Sequence, residues 1–378
     1  MTKLIPIYAI CAILTFLSER ISVKELDSYD GKIYIKKEAI LYYVMAFAMA
    51  VFVGLRIKGN DTSSYMHMFD ILEGSWTSIK SIDWLQPAKA PGFFLVNYLM
   101  KMARFSTQDF LMCYALFTVI VYFWFIRKFS NNIPFSVFLL LGMGCYTFTM
   151  AAIKQTTATA FMLIATDKAI NKKYIPFAIF TLVAFLFHPY SIILAVSVFL
   201  DFTPWSKKTY IFLIVSAILA FNLQFFSDLI TSVTASLGAD YGEGSFSGEG
   251  VNIFRVLVVW VPSALSYLAR EPLADDSDRQ KNIIINMSMM NSLIMFVGLF
   301  GTANYFARLA NYFLIFQVIT LPILFNYFDT RSLRFLKTGS VVGYSLYQYY
   351  SNVLATGEFD SIYSFISVKE YIVQLFSR

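Results

Sequence analysis

Apolar runs of about 17 to 25 residues recur along this chain from end to end, and hydrocarbon about 30 Å thick requires about 20 such residues for each crossing helix. The clear runs cover 2–18, 38–55, 109–126, 134–151, 153–170, 208–226, 251–269, 283–300 and 305–327. Water cannot be the solvent for most of this surface, because 58% of the 378 residues are apolar and only 14% are charged, against about 25% charged in soluble domains. The runs predict an all-α polytopic membrane protein with roughly 11–13 transmembrane helices. No polar stretch is long enough for a separate water-soluble domain, so residues 1–378 read as a single transmembrane domain. The first run ends in Ser18-Glu19-Arg20 without a small-x-small cleavage pattern and reads as a retained helix. Cys11, Cys113 and Cys145 lie singly inside apolar runs, with neither disulfide nor zinc spacing.

The net charge of +6 is not the footprint of nucleic-acid binding, because the basic residues sit in short clusters between apolar runs. They report orientation instead. Residues 174–202 are apolar but interrupted by His188-Pro189, which splits them into two short spans meeting at the histidine. The segment 92–104 is short and ends with Lys101 and Arg104. If it only dips in or lies at the interface, Arg20/Lys24/Lys32/Lys36/Lys37, Arg127/Lys128, Lys168/Lys172/Lys173, Lys207/Lys208, Arg270/Arg279/Lys281 and Arg331/Arg334/Lys337 all fall on the cytoplasmic side. On this reading 56–108 is an outer loop with a short re-entrant or interfacial helix, and 227–250 is a mobile outer loop, glycine-rich and acidic. The acidic residues of that loop lack calcium-loop spacing. The tail, 338–353 and 354–378, suits either a final short span or an interfacial helix.

Charged groups at the rim of apolar spans are costly and tend to face a wet protein interior. Several gather on the predicted outer side. Arg56 ends a helix and is followed by Gly59, Asp61 and Tyr65; its planar fork suits phosphate oxygens, although snorkelling to a head group is the plainer alternative. Lys154 and Gln155 open a helix whose N-terminus favours anions; the plainer alternative is an interfacial anchor. His188 stands at the junction of two short helices, where an imidazole can accept a proton from a hydroxyl or serve only as a structural hydrogen-bonding group. Tyr305, Arg308 and Tyr312 share one helical face, which suits a phosphate with sugars packed beside it. Arg255, near the start of its span, either joins them or snorkels outward.

The run GLRIKGNDTSSY, the block from KQTTATAF to FLFHPYSIIL and the late RLANYF occur in an order and spacing that resemble the EpsG-like branch of the Wzy-type bacterial polysaccharide polymerases. The resemblance covers about 54–327 and carries the family's pattern onto Arg56, Gly59, Asp61, Tyr65, Gln155, His188, Arg308 and Tyr312. Lys154 stands where the pattern has arginine, which keeps the charge and loses the bidentate fork. Lys89-Ala90-Pro91-Gly92-Phe93 replaces an element that commonly begins with glutamate.

The resemblance implies a fold akin to the GT-C-like multi-span glycosyltransferases, in the bacterial cytoplasmic membrane, with its active-site cavity facing the periplasm or exterior. It also implies joining of undecaprenyl-diphosphate-linked oligosaccharide repeat units by inverting glycosyl transfer. The implied partners are the lipid-linked donor and acceptor, membrane lipids, and a flippase and a chain-length regulator as candidate proteins. No cofactor or metal is implied. On this expectation Arg56, Lys154 and Arg308 clamp the donor diphosphate, His188 activates the acceptor hydroxyl with Asp61 as rival base, and Tyr65, Gln155, Arg255, Tyr305 and Tyr312 line the substrate. A flippase or exporter of lipid-linked oligosaccharides, or a membrane glycan acyltransferase, are the alternatives. The first calls for basic groups deeper in the membrane and two related halves, and the second needs no diphosphate clamp.

Overall fold

In the computed structural model the described residues are 2–20, 22–26, 33–37, 40–222, 249–301, 303–355 and 359–377. In chain order the helices are α1 (Leu4–Arg20), α2 (Ile40–Gly54), α3 (Thr62–Asp70), α4 (Trp76–Lys80), α5 (Pro91–Met102), α6 (Thr107–Phe129), α7 (Ile133–Gly142), α8 (Cys145–Ala151), α9 (Ile153–Ile170) and α10 (Tyr174–Phe187). A 3-10 helix, Pro189–Phe199, leads on to α11 (Lys207–Phe221), α12 (Ile253–Leu268), α13 (Arg270–Asp275), α14 (Arg279–Val297), α15 (Ala303–Asn311), α16 (Leu314–Leu324), α17 (Thr330–Tyr349), α18 (Phe359–Ile362) and α19 (Val368–Phe376). Among the described residues, strands are confined to two short antiparallel pairs, β1 (Ser22–Leu26) with β2 (Ile33–Lys37) and β3 (Arg56–Lys58) with β4 (Ser364–Phe365).

The chain is thus all-α in class, and its helices coincide with the apolar runs to within a few residues. Helix is the form that lets an apolar segment satisfy every backbone group internally. The expected loop 227–250 lies outside the described residues except for Glu249 and Gly250, and so does the end of the run 208–226.

Among the described residues only α6 is long and apolar enough to cross a membrane as one straight helix. Two bent pairs bring the number to three if each is one span: α7 with α8, bent by 49°, and Tyr305–Asn311 with Leu314–Tyr327, bent by 53°. Shorter apolar helices fill other runs, at Leu4–Ser18, Ile40–Gly54, Tyr174–Phe187, Pro189–Phe199 and Ile253–Leu268. Full-length helices are therefore fewer than the roughly 11–13 crossings that run length suggests. Local breakers are one cause: Gly144, at φ 76°, separates α7 from α8, and Pro189 stops α10.

Several helices nonetheless expose apolar side chains at helical spacing. Ile175, Ile179 and Leu182 do so on α10, Ile211, Ile214 and Ile218 on α11, and Phe254, Leu257 and Val261 on α12. Stripes of that kind mark a contact surface, and for a chain this apolar the natural neighbour is lipid.

The chain forms two compact units, one of Met1–Ile71, Phe105–Ala152 and Leu346–Arg378, the other of Leu72–Arg104 and Ile153–Ser345. In the first unit α2 lies against α6 with Gly54 at the crossing, where a Cβ would come 2.5 Å from the Met112 sulfur and 2.9 Å from its Cα. Tyr42 donates to the Phe123 carbonyl at 2.8 Å and Tyr146 to that of Met49 at 2.9 Å, so both phenols bury their hydroxyls with a partner.

After α2 the chain is strapped by the C-terminal segment. β3 pairs with β4, Ile366 N–H donates to the Leu55 carbonyl at 3.0 Å, and the Tyr363 ring covers Gly59. Gly59 has φ 136°, and a Cβ there would fall 2.0 Å from a Tyr363 ring carbon. A Gly59→Ala variant is expected to lose about 2–5 kcal/mol of stability from backbone strain and overpacking together. Thermal unfolding of the detergent-solubilised protein measures this, and an unchanged midpoint contradicts it.

In the second unit α9 packs along α10 and the 3-10 helix, and α14 packs against α12 and α16. Pro262 within α12 cannot donate to the Val258 carbonyl. Tyr344 O–H donates to that oxygen at 3.4 Å, and the neighbouring Val259 carbonyl accepts from Gln317 at 2.7 Å and Ser292 at 2.8 Å. Tyr344 thereby supplies the donor that the proline removes, and Gln317 and Ser292 add donors to the next carbonyl.

Candidate anion site at the start of α9

Lys154 and Gln155 occupy the first turn of α9. Gln155 is buried, and its amide donates to the Arg308 carbonyl at 2.6 Å, tying the start of α9 to the end of α15. The Lys154 ammonium lies 5.0 Å from the Phe93 ring centroid and 5.3 Å from that of Phe94, the two aromatics that begin α5. Gly92 lets the start of α5 lie close against the end of α10, because a Cβ there would meet the Leu186 side chain at 2.9 Å and its carbonyl oxygen at 3.2 Å. Two ring faces hold the cation by their quadrupoles without neutralising it.

Leu186 and Phe187 end α10, and His188 follows in extended conformation, outside both flanking apolar helices. Proline next in line disfavours helix at the preceding residue. The imidazole Nδ1 lies 2.5 Å from the Tyr312 hydroxyl. Tyr312 sits at the elbow between α15 and α16, and Arg308 stands one turn earlier with its side chain exposed. Burial, and then the charges of Lys154 and Arg308, push the imidazole down to about 4, so His188 is neutral at physiological pH. Arg255 donates to the Asn311 side-chain oxygen at 3.2 Å and so rests against the same end of α15.

Among the described residues, neither Lys154, Arg308 nor Arg255 has a carboxylate partner. The opposite end of α9, roughly 20 Å away along the helix, is the reverse. There Lys168 pairs with Asp167 at 3.2 Å, Arg279 pairs with Asp201, and Lys281 pairs with Asp276 at 2.6 Å. Those three cations are each matched by a carboxylate, whereas Lys154, Arg308 and Arg255 are not. Cations gathered without a counter-charge attract an anion.

The remaining sequence candidates belong to the first unit. Arg56 is 1% exposed; its Nε donates to Thr62 Oγ1 at 3.1 Å and a terminal nitrogen to the Val53 carbonyl at 2.7 Å. Burial lowers its pKa to about 10, which leaves it cationic at neutral pH. Asp61 is exposed at the N-cap position of α3 and makes no side-chain capping bond, and Tyr65 N–H donates to the Asp61 carbonyl at 3.0 Å. Arg56 thus bonds within its own unit, while Lys154, Gln155, His188, Arg308 and Tyr312 are brought together in theirs.

Four further residues beside the site carry only weak signals in the sequence. Phe93 and Phe94 were signalled only by an aromatic doublet after Pro91-Gly92, Tyr190 by its place directly after His188-Pro189, and Asn311 by a helical spacing of three from Arg308.

A family model described as the EpsG family matches residues 39–367. Neither a curated protein nor a solved structure shows significant similarity to the chain.

Proposed function

Because the chain belongs to the EpsG family of Wzy-like polysaccharide polymerases, we propose that the cation cluster at the start of α9 holds the diphosphate of a lipid-linked oligosaccharide donor while His188 removes the proton from the acceptor hydroxyl. The observation that supports this most directly is the pair Lys154 and Arg308, linked through Gln155 and without carboxylate partners among the described residues. In the proposed step the acceptor oxygen bonds to the anomeric carbon as the bond from that carbon to the phosphate oxygen breaks. The acceptor proton passes to His188 Nε2. Undecaprenyl diphosphate departs with the electron pair, and its developing charge falls on the Lys154 ammonium and the Arg308 guanidinium. Direct displacement inverts the anomeric centre.

For Nε2 to act as base, the neutral ring must carry its proton on Nδ1 and donate it to the Tyr312 oxygen, which lies within hydrogen-bonding reach. That bond also steadies the imidazolium as it forms. The proposal places the chain in the bacterial cytoplasmic membrane with this cluster toward the outer face. Asp61 is the rival base and Arg56 a further candidate for donor binding.

The test is elongation in vitro. Purified protein in nanodiscs, supplied with fluorescent lipid-linked repeat units, is expected to build a ladder of longer glycans. Transfer of an acyl group, or movement of the lipid across a vesicle bilayer without elongation, would instead identify an acyltransferase or a flippase. Asp61→Asn and Arg56→Met variants decide whether those side chains share in the chemistry.

A further inference from the structure

Next to the cation cluster stands an aromatic corner that the phosphate reading leaves unused. The rings of Tyr190 and Tyr305 meet edge to face, 5.9 Å between centroids at 89°. Tyr190 also lies 5.7 Å from the His188 ring, and Tyr305 lies 5.3 Å from Phe306 at 87°. The position of Tyr190 is set by its turn. Pro189 fixes the backbone between His188 and Tyr190, and Ser191 N–H donates to the His188 carbonyl at 2.9 Å, closing the turn that carries both rings. Tyr190 and Tyr305 are each only partly buried, so the corner retains solvent-accessible surface.

The spacing is informative. Tyr305 precedes Arg308 by three residues on one helical face, a rise of roughly 4.5 Å. In a lipid-linked glycan the first sugar is bonded directly to the distal phosphate, so its ring centre lies about one helical turn from a phosphate oxygen held by Arg308. A pyranose presents an apolar face of C–H groups carrying partial positive charge, which matches the negative face of an aromatic ring. Two rings at right angles offer one face for stacking and a second wall that fixes the rotation of the sugar.

We propose that Tyr190 and Tyr305 form a sugar subsite that seats the ring attached directly to the donor diphosphate, with its anomeric carbon toward His188. This rests on the reading of Lys154 and Arg308 as the phosphate site, and it adds the part of the donor that tells a glycan-loaded lipid from a spent one. Undecaprenyl diphosphate is the leaving product, and it lacks the ring that the corner holds. The subsite therefore favours retention of donor over product.

The experiment compares two ligands on protein in nanodiscs: bare undecaprenyl diphosphate, and the native lipid-linked repeat unit purified from source cells that lack this chain. Wild-type protein is expected to bind the glycan-bearing lipid more tightly. Tyr190→Leu and Tyr305→Leu are each expected to reduce that preference by about 3- to 10-fold while leaving affinity for the bare lipid unchanged. Tyr190→Phe and Tyr305→Trp, which keep a ring face, are expected to preserve it, and this separates stacking from a packing defect. Equal wild-type affinity for both ligands, or leucine variants that keep the full preference, overturns the subsite. Loss of preference in the leucine and aromatic variants alike also overturns it, since packing alone then accounts for the effect. If Lys154→Met and Arg308→Met leave bare-lipid affinity untouched, the phosphate reading itself fails, an outcome read independently of the tyrosines.

Discussion

His188→Ala is expected to lower the rate of glycan elongation by about 10²- to 10⁴-fold, the usual contribution of a positioned general base, while changing donor affinity little. The expectation follows from three features of the site: a neutral imidazole, a hydroxyl 2.5 Å from its Nδ1, and two cations close enough to act on it. Tyr312→Phe removes the oxygen that accepts the Nδ1 proton and is expected to produce a smaller loss, on the order of tenfold. An alanine variant that builds the ladder at the normal rate removes His188 from the chemistry.

The pH dependence adds a second check. Burial, and then the charges of Lys154 from α9 and Arg308 from α15, hold the imidazole proton affinity down in the free protein, to about 4, so the base is competent above that pH and is lost below it. A bound diphosphate offsets both cations and raises the pKa above its free-protein value, while burial keeps it below 6.5, the ordinary value for histidine. The acid limb of kcat/KM, which reports the free enzyme, is therefore expected near pH 4, and the acid limb of kcat, which reports the complex, higher. Coincident limbs contradict electrostatic coupling between the base and the anion site.

Lys154→Met and Arg308→Met are expected to lower kcat/KM by about 10²- to 10³-fold each, the cost of removing one preorganised charge from a developing anion. They should also weaken binding of the bare lipid diphosphate. The double variant is expected to fall short of the product of the two losses, because Gln155 links the two positions and both charges act on one ligand. Lys154→Arg is expected to keep most of the activity. The guanidinium retains the charge, stacks on Phe93 and Phe94, and adds a fork that suits phosphate oxygens. Full activity of both methionine variants in the ladder assay rules out a diphosphate clamp at this place.

Much of the fold was legible because run length and period decide helix. The apolar runs place α1, α2, α6, α9 and α12 to within a few residues, and His188-Pro189 announces the break between α10 and the 3-10 helix. The bends were not legible. The run 134–151 reads as one span, yet Gly144 in a left-handed conformation turns it by 49°, because mean hydropathy over a window is blind to one backbone angle. The run 305–327 likewise hides a 53° elbow, and that elbow carries Tyr312. The chemistry of the site residues could be read from their types. Their grouping could not, since Arg56 and Lys154 look equivalent in sequence as cations beside apolar helices, yet Arg56 donates to Thr62 and Val53 in its own unit.

By itself the sequence determined a helical, membrane-suited chain with a handful of costly polar residues, since apolar length and charge scarcity depend on composition and local order alone. Only the tertiary structure decided which of those residues meet. His188 and Tyr312 are 124 residues apart, and Gln155 and Arg308 are 153 apart. Contacts at such separations are chosen by how helices pack, where they bend and which carbonyls need a donor, and no local periodicity records that choice.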